Sequence, residues 1–143
     1  MGSFWGILSL EREMPKQDSA FAVIRRGDTI LLVKPRQKET WNLPGGRLQD
    51  DETPHQGLVR EVWEETGLNA VIVRLAGTHR RDDRSRAYVF LARVALGARL
   101  AGARHEIDRQ AWVPLREAAA RLSTSARDRL WSALRKGRSF RSA

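Results

Sequence analysis

The chain contains no cysteine. It therefore carries no disulfide, no thiolate metal site and no thiol nucleophile, a composition that suits a reducing cytoplasm. No apolar run approaches the roughly 20 residues that a helical membrane span requires, so a membrane-embedded function is not expected. Repeats and low-complexity segments are absent, and no serine stands in a nucleophile-elbow context. Acid is the scarcer charge: 17 Asp and Glu stand against 26 Lys and Arg, a formal net charge of +9. Residues 121–143 concentrate the excess, with Asp128 their single acid. A basic surface of this kind favours anionic partners such as nucleotides, RNA 5′ ends or nucleic acid met non-specifically. It also describes an ordinary solvated helix face. With 143 residues the chain can build one domain around a substantial core.

Against that basic background, residues 45–68 read GGRLQDDETPHQGLVREVWEETGL. Thr53 is an N-cap residue, Pro54 suits the first helical position, Gln56 completes a capping box, and Gly67 supplies a left-handed stop. A helix of about thirteen residues follows, on which Glu61, Glu64 and Glu65 fall within an arc of about 100°. Val59, Val62 and Trp63 are expected on another side, packed against a sheet. Three carboxylates on one face repel each other unless a cation neutralises them, and hard divalent ions such as Mg²⁺ are held in this way together with substrate phosphates. Arg60 reaches Glu64 at i+4. The plainer alternative is a solvated acidic face with i,i+4 pairs.

From Gly46 through Glu52, Arg60-Glu61-Val62, Glu64-Glu65 and Gly67-Leu68, the spacing matches every fixed position of the Nudix hydrolase signature, and Leu43-Pro44-Gly45 resembles its usual lead-in. The resemblance implies an α/β/α sandwich around a mixed sheet, with a loop-helix-loop motif that binds Mg²⁺ or Mn²⁺. It also implies roles: Glu61, Glu64 and Glu65 as metal ligands, the Gly46 carbonyl as a further ligand, and Arg60 and Glu52 as orienting partners. Gly57 departs from the alanine more usual in the family, a change expected to weaken the helix by about 1 kcal/mol.

Elsewhere the pattern reads as a strand through Phe21–Ile24, a turn at Arg26-Gly27-Asp28 and a second strand through Thr29–Val33, both covered on two faces. Lys34 closes that run, Pro35 breaks it, and a basic loop precedes Trp41, which either packs beneath the signature loop or stacks on a base. Further strands are expected over 70–75 and 87–96, joined by a charged connector whose Arg80 and Arg81 are placed to grip polyphosphate. Lys34, Trp41, Arg80 and Arg81 are thus the candidate substrate contacts. The stretch leading into Ala111-Trp112-Val113-Pro114-Leu115 resembles a Nudix segment in which a glutamate precedes a strand, which makes Glu106 a candidate further ligand or base. A helix over 116–122 leads to a second one, N-capped by Ser123 or Thr124, with a core stripe of Leu130, Trp131 and Leu134 that ends near Gly137. Domain limits follow: an amphipathic arm over 1–17 packed on the domain or on a second subunit of a homodimer, the domain over 18–137, and a disordered basic tail over 138–143. The arm does not read as a signal peptide, and Met14 is an alternative start.

The expected chemistry is metal-dependent hydrolysis of a pyrophosphate bond in a nucleoside diphosphate linked to another moiety, most simply a nucleoside triphosphate. Bound metal would neutralise the anhydride oxygens and lower the pKa of a water, with Arg60, Glu61, Glu64 and Glu106 as the catalytic set. The competing readings are hydrolysis of dinucleoside polyphosphates or RNA 5′-triphosphate ends, and a nucleotide-binding module without hydrolysis.

Overall fold

The computed structural model describes residues 17–142, with side chains as far as residue 135. The arm expected over 1–17 lies, but for its last residue, outside the described residues. Nine elements follow: β1 (Ser19–Arg26), β2 (Thr29–Pro35), β3 (Gly45–Arg47), α1 (Pro54–Thr66), β4 (Val71–Arg80), β5 (Arg86–Arg93), β6 (Ile107–Pro114), α2 (Leu115–Arg121) and α3 (Thr124–Ser142). The main sheet runs in the order β4-β5-β1-β2-β6, with β3 paired to β1. β1 and β5 are parallel and the other pairs antiparallel, so the sheet is mixed.

Alternation along β1 divides the core. Ala20, Ala22 and Ile24 face α1, where they meet Leu58, Val62 and Phe90. Phe21 and Val23 face the other way, toward Ala126, Leu130 and Ala133 of α3. Both faces are covered, which accounts for the unbroken apolar runs in β1 and β2. The turn between them forms as expected, with Gly27 at φ 61° and the Thr29 hydroxyl donating to the Arg26 carbonyl at 2.7 Å.

Several boundaries differ from expectation. β3 was not foreseen, because three residues that contain two glycines carry no strand signal of their own. β4 extends five residues beyond 75 through its pairing with β5, which shortens the connector to the tip between Arg80 and Arg86. β5 stops at Arg93, and Leu96 is 93% exposed. The helix expected over 116–122 sits one residue earlier. On α1 the buried stripe is Leu58, Val62 and Thr66, at i, i+4 and i+8, whereas Val59 and Trp63 are exposed; Trp63 is instead overlaid by the Arg104 guanidinium at 4.6 Å. The buried stripe of α3 is Ala126, Leu130 and Ala133, and Trp131 lies beside it, largely exposed. Nor does α3 end at Gly137: its backbone continues to Ser142, since one interior glycine costs a helix only about 1 kcal/mol.

Candidate metal centre

The capping signals of α1 are all realised. The Thr53 hydroxyl accepts from the Gln56 N–H at 3.2 Å, the Gln56 side chain accepts from the Thr53 N–H at 3.0 Å, Pro54 opens the helix, and Gly67 closes it at φ 77° with its N–H donating to the Trp63 carbonyl. A fixed start and stop set the rotation of the helix, and with Leu58 and Val62 buried the flank beside them carries Glu65 and Glu61, with Glu64 and Arg60 further round, toward β3.

Arg60 organises this side. Its Nε and Nη2 grip Glu52 in a bidentate pair at 2.6 and 2.9 Å. Nη1 donates to Glu61 at 3.2 Å and Glu64 at 3.1 Å, and Nη2 also donates to the Arg47 carbonyl at 3.2 Å. Bonding to Arg60 holds the Glu52 carboxyl below its ordinary range, and the three acids raise Arg60 further above its own. Glu65 accepts from the Gly45 N–H at 2.7 Å. Gly45 must be glycine: at φ 146° a Cβ would lie 2.0 Å from the Ala20 carbonyl oxygen. Gly46 is constrained by the site itself, because its Cβ would come within 2.9 Å of the Glu61 carboxyl.

Burial pushes the Glu61 carboxyl up, partly offset by Arg60 and reinforced by Glu64. Burial raises Glu65 well above the usual range, and the charges of Glu61, Glu64 and Glu106 add to this. Among the described residues no three acidic or imidazole side chains close around a single point, because Glu61 and Glu64 turn to Arg60 while Glu65 turns to Gly45. The donor set nevertheless fits a hard cation. It is all oxygen, it is partly desolvated, its members repel one another, and a glycine leaves the space beside Glu61 open.

Other candidates fall at varying distances. Glu106 is exposed, and its charge reaches Glu65; its carbonyl accepts from the Arg36 N–H at 2.8 Å. Lys34 lies 3.9 Å from Asp108 and makes no described contact with the cluster. Trp41 is 9% exposed and belongs to the core. Its backbone N–H donates to the Arg121 carbonyl and its backbone carbonyl accepts from the Ser123 N–H. Arg80 and Arg81 sit at the β4–β5 tip, and neither bonds to the carboxylates of α1 among the described contacts. The sequence reading missed Gln110, whose side chain donates to the Glu65 carbonyl at 2.9 Å and to the Gly102 carbonyl. It ties the end of α1 to the loop that leads to Glu106. A single glutamine in a strand carries no sequence signal for that duty.

Comparison with known proteins bears on this geometry. The NUDIX domain family matches residues 15–134. A MutT-like protein of Streptomyces ambofaciens is 42% identical over 65 residues, covering 46% of this chain and 42% of that one. A protein of Bacillus subtilis named putative 8-oxo-dGTP diphosphatase is 38% identical over 68 residues, 48% of this chain and 46% of that one. These matches span less than half the length of the relatives concerned. Among solved structures, a MutT protein from Methanosarcina mazei is 30% identical with a TM-score of 0.68, and the match covers 87% of this chain and 97% of that one. A UDP-X diphosphatase shares the fold at a TM-score of 0.73 and 18% identity, covering 95% of this chain and 71% of that one. A helix that turns Glu61, Glu64 and Glu65 toward the Gly45-Gly46 strand, inside a domain match that takes in nearly all the described residues, places the chain in the Nudix family.

Proposed function

We propose that this chain is a metal-dependent pyrophosphohydrolase acting on a nucleoside diphosphate linked to another group, with a nucleoside triphosphate as the first substrate class to test. The observation that carries this reading is the carboxylate face of α1, clamped through Arg60 and Glu52 and set against Gly46. A binding module has no chemical need for three mutually repelling carboxylates. Glu61, Glu64, Glu65 and the Gly46 carbonyl would hold Mg²⁺ or Mn²⁺, which would supply charge neutralisation at the anhydride and activation of water. Arg60 orients Glu61 and Glu64, Gly45 fixes Glu65, and Glu61 or Glu64, with Glu106 as the second choice, accepts the proton of the attacking water. The name of the Bacillus subtilis relative supports a nucleoside triphosphate as substrate.

The test is release of phosphate and pyrophosphate from canonical and oxidised nucleoside triphosphates, dinucleoside polyphosphates, ADP-ribose, nucleotide sugars and 5′-triphosphorylated RNA, with each metal in turn. Metal-dependent turnover of one class, lost by about a thousandfold or more in Glu64→Gln, is the expected outcome. No turnover on any member, with a nucleotide still bound, would replace hydrolysis by binding.

A further inference from the structure

The last turn of α1 carries Glu64 and Glu65, and its main chain is held from outside the helix. A helix ends in carbonyls that have no partner within it. Here the Trp63 carbonyl accepts from the Gly67 N–H at 2.9 Å, the Thr66 carbonyl accepts from the Ala101 N–H at 2.9 Å, and the Glu65 carbonyl accepts from the Gln110 side chain at 2.9 Å. The loop that supplies Ala101 is pressed against the helix end: a Cβ on Gly67 would lie 2.7 Å from Ala101 Cβ and 2.9 Å from Arg104 Nη1. Gln110 latches that loop as well, because the same amide nitrogen donates to the Gly102 carbonyl. Both hydrogens of the nitrogen are then used. An ionised glutamate in this place would present only acceptors to two carbonyls, so the position requires the amide.

Glu65 differs from its neighbours in how it is fixed. Glu61 and Glu64 are bonded by Arg60, a residue of the same helix, so these bonds move with α1. Glu65 is tied to the sheet at both ends. Its carboxyl accepts from the Gly45 N–H at 2.7 Å, and Gly45 is paired with Phe21 of β1. Its carbonyl is tied to Gln110 of β6. The two ties share a base: Val33 of β2 stands opposite Gln110 in the sheet, and its main chain exchanges hydrogen bonds of 2.9 and 2.8 Å with Asn42, shortly before Gly45. The separation between the Glu65 main chain and the Gly45-Gly46 strand is therefore set across Val33, by a path that does not pass through the helix.

We propose that Gln110 is a positioning residue of the metal centre, fixing the Glu65 carboxyl relative to Gly46 and Glu61; this rests on the reading of those groups as metal ligands. A partner that holds a ligand from behind carries about ten- to a hundredfold of the metal affinity. Displacing one anchored oxygen matters more to Mg²⁺, which demands near-ideal octahedral geometry, than to Ca²⁺, whose coordination is flexible. Gln110 thus sharpens the preference of the site for the smaller ion.

The test measures Mg²⁺ and Ca²⁺ binding to the full chain by calorimetry, without substrate, in wild type, Gln110→Met, Gln110→Glu and Glu64→Gln. Gln110→Met keeps the length of the side chain and removes both donors. Its Mg²⁺ affinity should fall by about tenfold or more and its Ca²⁺ affinity by much less, whereas a merely structural loss would weaken both ions alike. Gln110→Glu adds a negative charge that by itself attracts a cation, so a fall in its Mg²⁺ affinity separates position from charge. In excess chelator, hydrogen exchange of the Gly45 amide reads the Glu65 contact with no metal present, and it should be about tenfold faster in both Gln110 variants. Gln110→Asn, which keeps the amide on a shorter stem, carries the same expectation and serves where the other variants do not fold. Unchanged Mg²⁺ affinity in Gln110→Met, losses of equal size for the two ions, or unchanged Gly45 exchange overturns the positioning role and leaves the metal centre standing. No ion binding in wild type, or full binding in Glu64→Gln, overturns the metal centre itself, and the positioning role falls with it.

Discussion

Glu52 accepts two hydrogen bonds from one guanidinium, and that pair keeps Arg60 extended along the carboxylates instead of into solvent. Glu52→Gln should cost about 1–2 kcal/mol at neutral pH, the scale of a charge-assisted hydrogen bond. The pH dependence has a definite sign. Arg60 lowers the Glu52 carboxyl in the fold, so its stabilisation is complete above the unfolded value of about 4.3 and is lost as pH falls through the lower folded value. Urea unfolding at pH 7 and at pH 3 checks this: the gap between wild type and Glu52→Gln should narrow at the acid end, and a gap that stayed constant would mean the pair is not ionic. Gly46→Ala probes the site from the other side. Its Cβ would press on the Glu61 carboxyl at 2.9 Å, so turnover should fall by about a hundredfold while stability changes by less than about 1 kcal/mol. A variant with full activity would remove Glu61 from the reacting geometry.

What the sequence disclosed about the elements depended on how local each signal was. The cap, capping box, first-turn proline and terminal glycine of α1 all lie within or beside the helix they define, and every one is realised. The stripe was misjudged at Val59 and Trp63 because both are apolar, and only the direction from which the sheet approaches tells them from Leu58. β3 was invisible for a related reason: Gly45–Arg47 becomes a strand only by pairing with Ser19–Phe21, far away in sequence. Gly57 shows how packing overrides propensity. Alanine there should gain about 1 kcal/mol of helix stability, but its Cβ would fall 2.3 Å from Leu48 Cδ2 and 3.1 Å from Glu52. Leu48 can swing away only by giving up part of its contact with the α1 side of the core. Thermal melts of Gly57→Ala should therefore show no net gain, whereas Thr53→Ala, which deletes the cap, should lose about 1 kcal/mol. A full gain in Gly57→Ala would show that the loop before α1 yields freely.

Across the whole molecule, an acidic cluster sits within a chain of net charge +9, and it is assembled from parts far apart in sequence. Glu65 senses Glu106 across a loop anchored by Gln110, and no spacing rule reaches that far; the carboxylate face of one helix was legible, and its surroundings were not. A divalent ion held by this cluster would link metal to global stability. In the metal-free fold Glu61 and Glu65 are raised above their ordinary values, so their contribution to stability falls as pH rises through that range and the carboxylates come to repel one another. A divalent ion binds only the deprotonated forms. Its apparent affinity must therefore increase with pH, while the strain it relieves increases too. At a hundred times Kd a ligand of the folded state adds about 2.7 kcal/mol, enough to move Tm by several degrees. Differential scanning in Mg²⁺ against chelator should show a larger rise in Tm at pH 8 than at pH 5.5, and almost none in Glu64→Gln at either pH. Equal rises at both pH values would mean that the metal does not displace protons from these carboxylates, and a full rise in Glu64→Gln would place the ion elsewhere in the molecule.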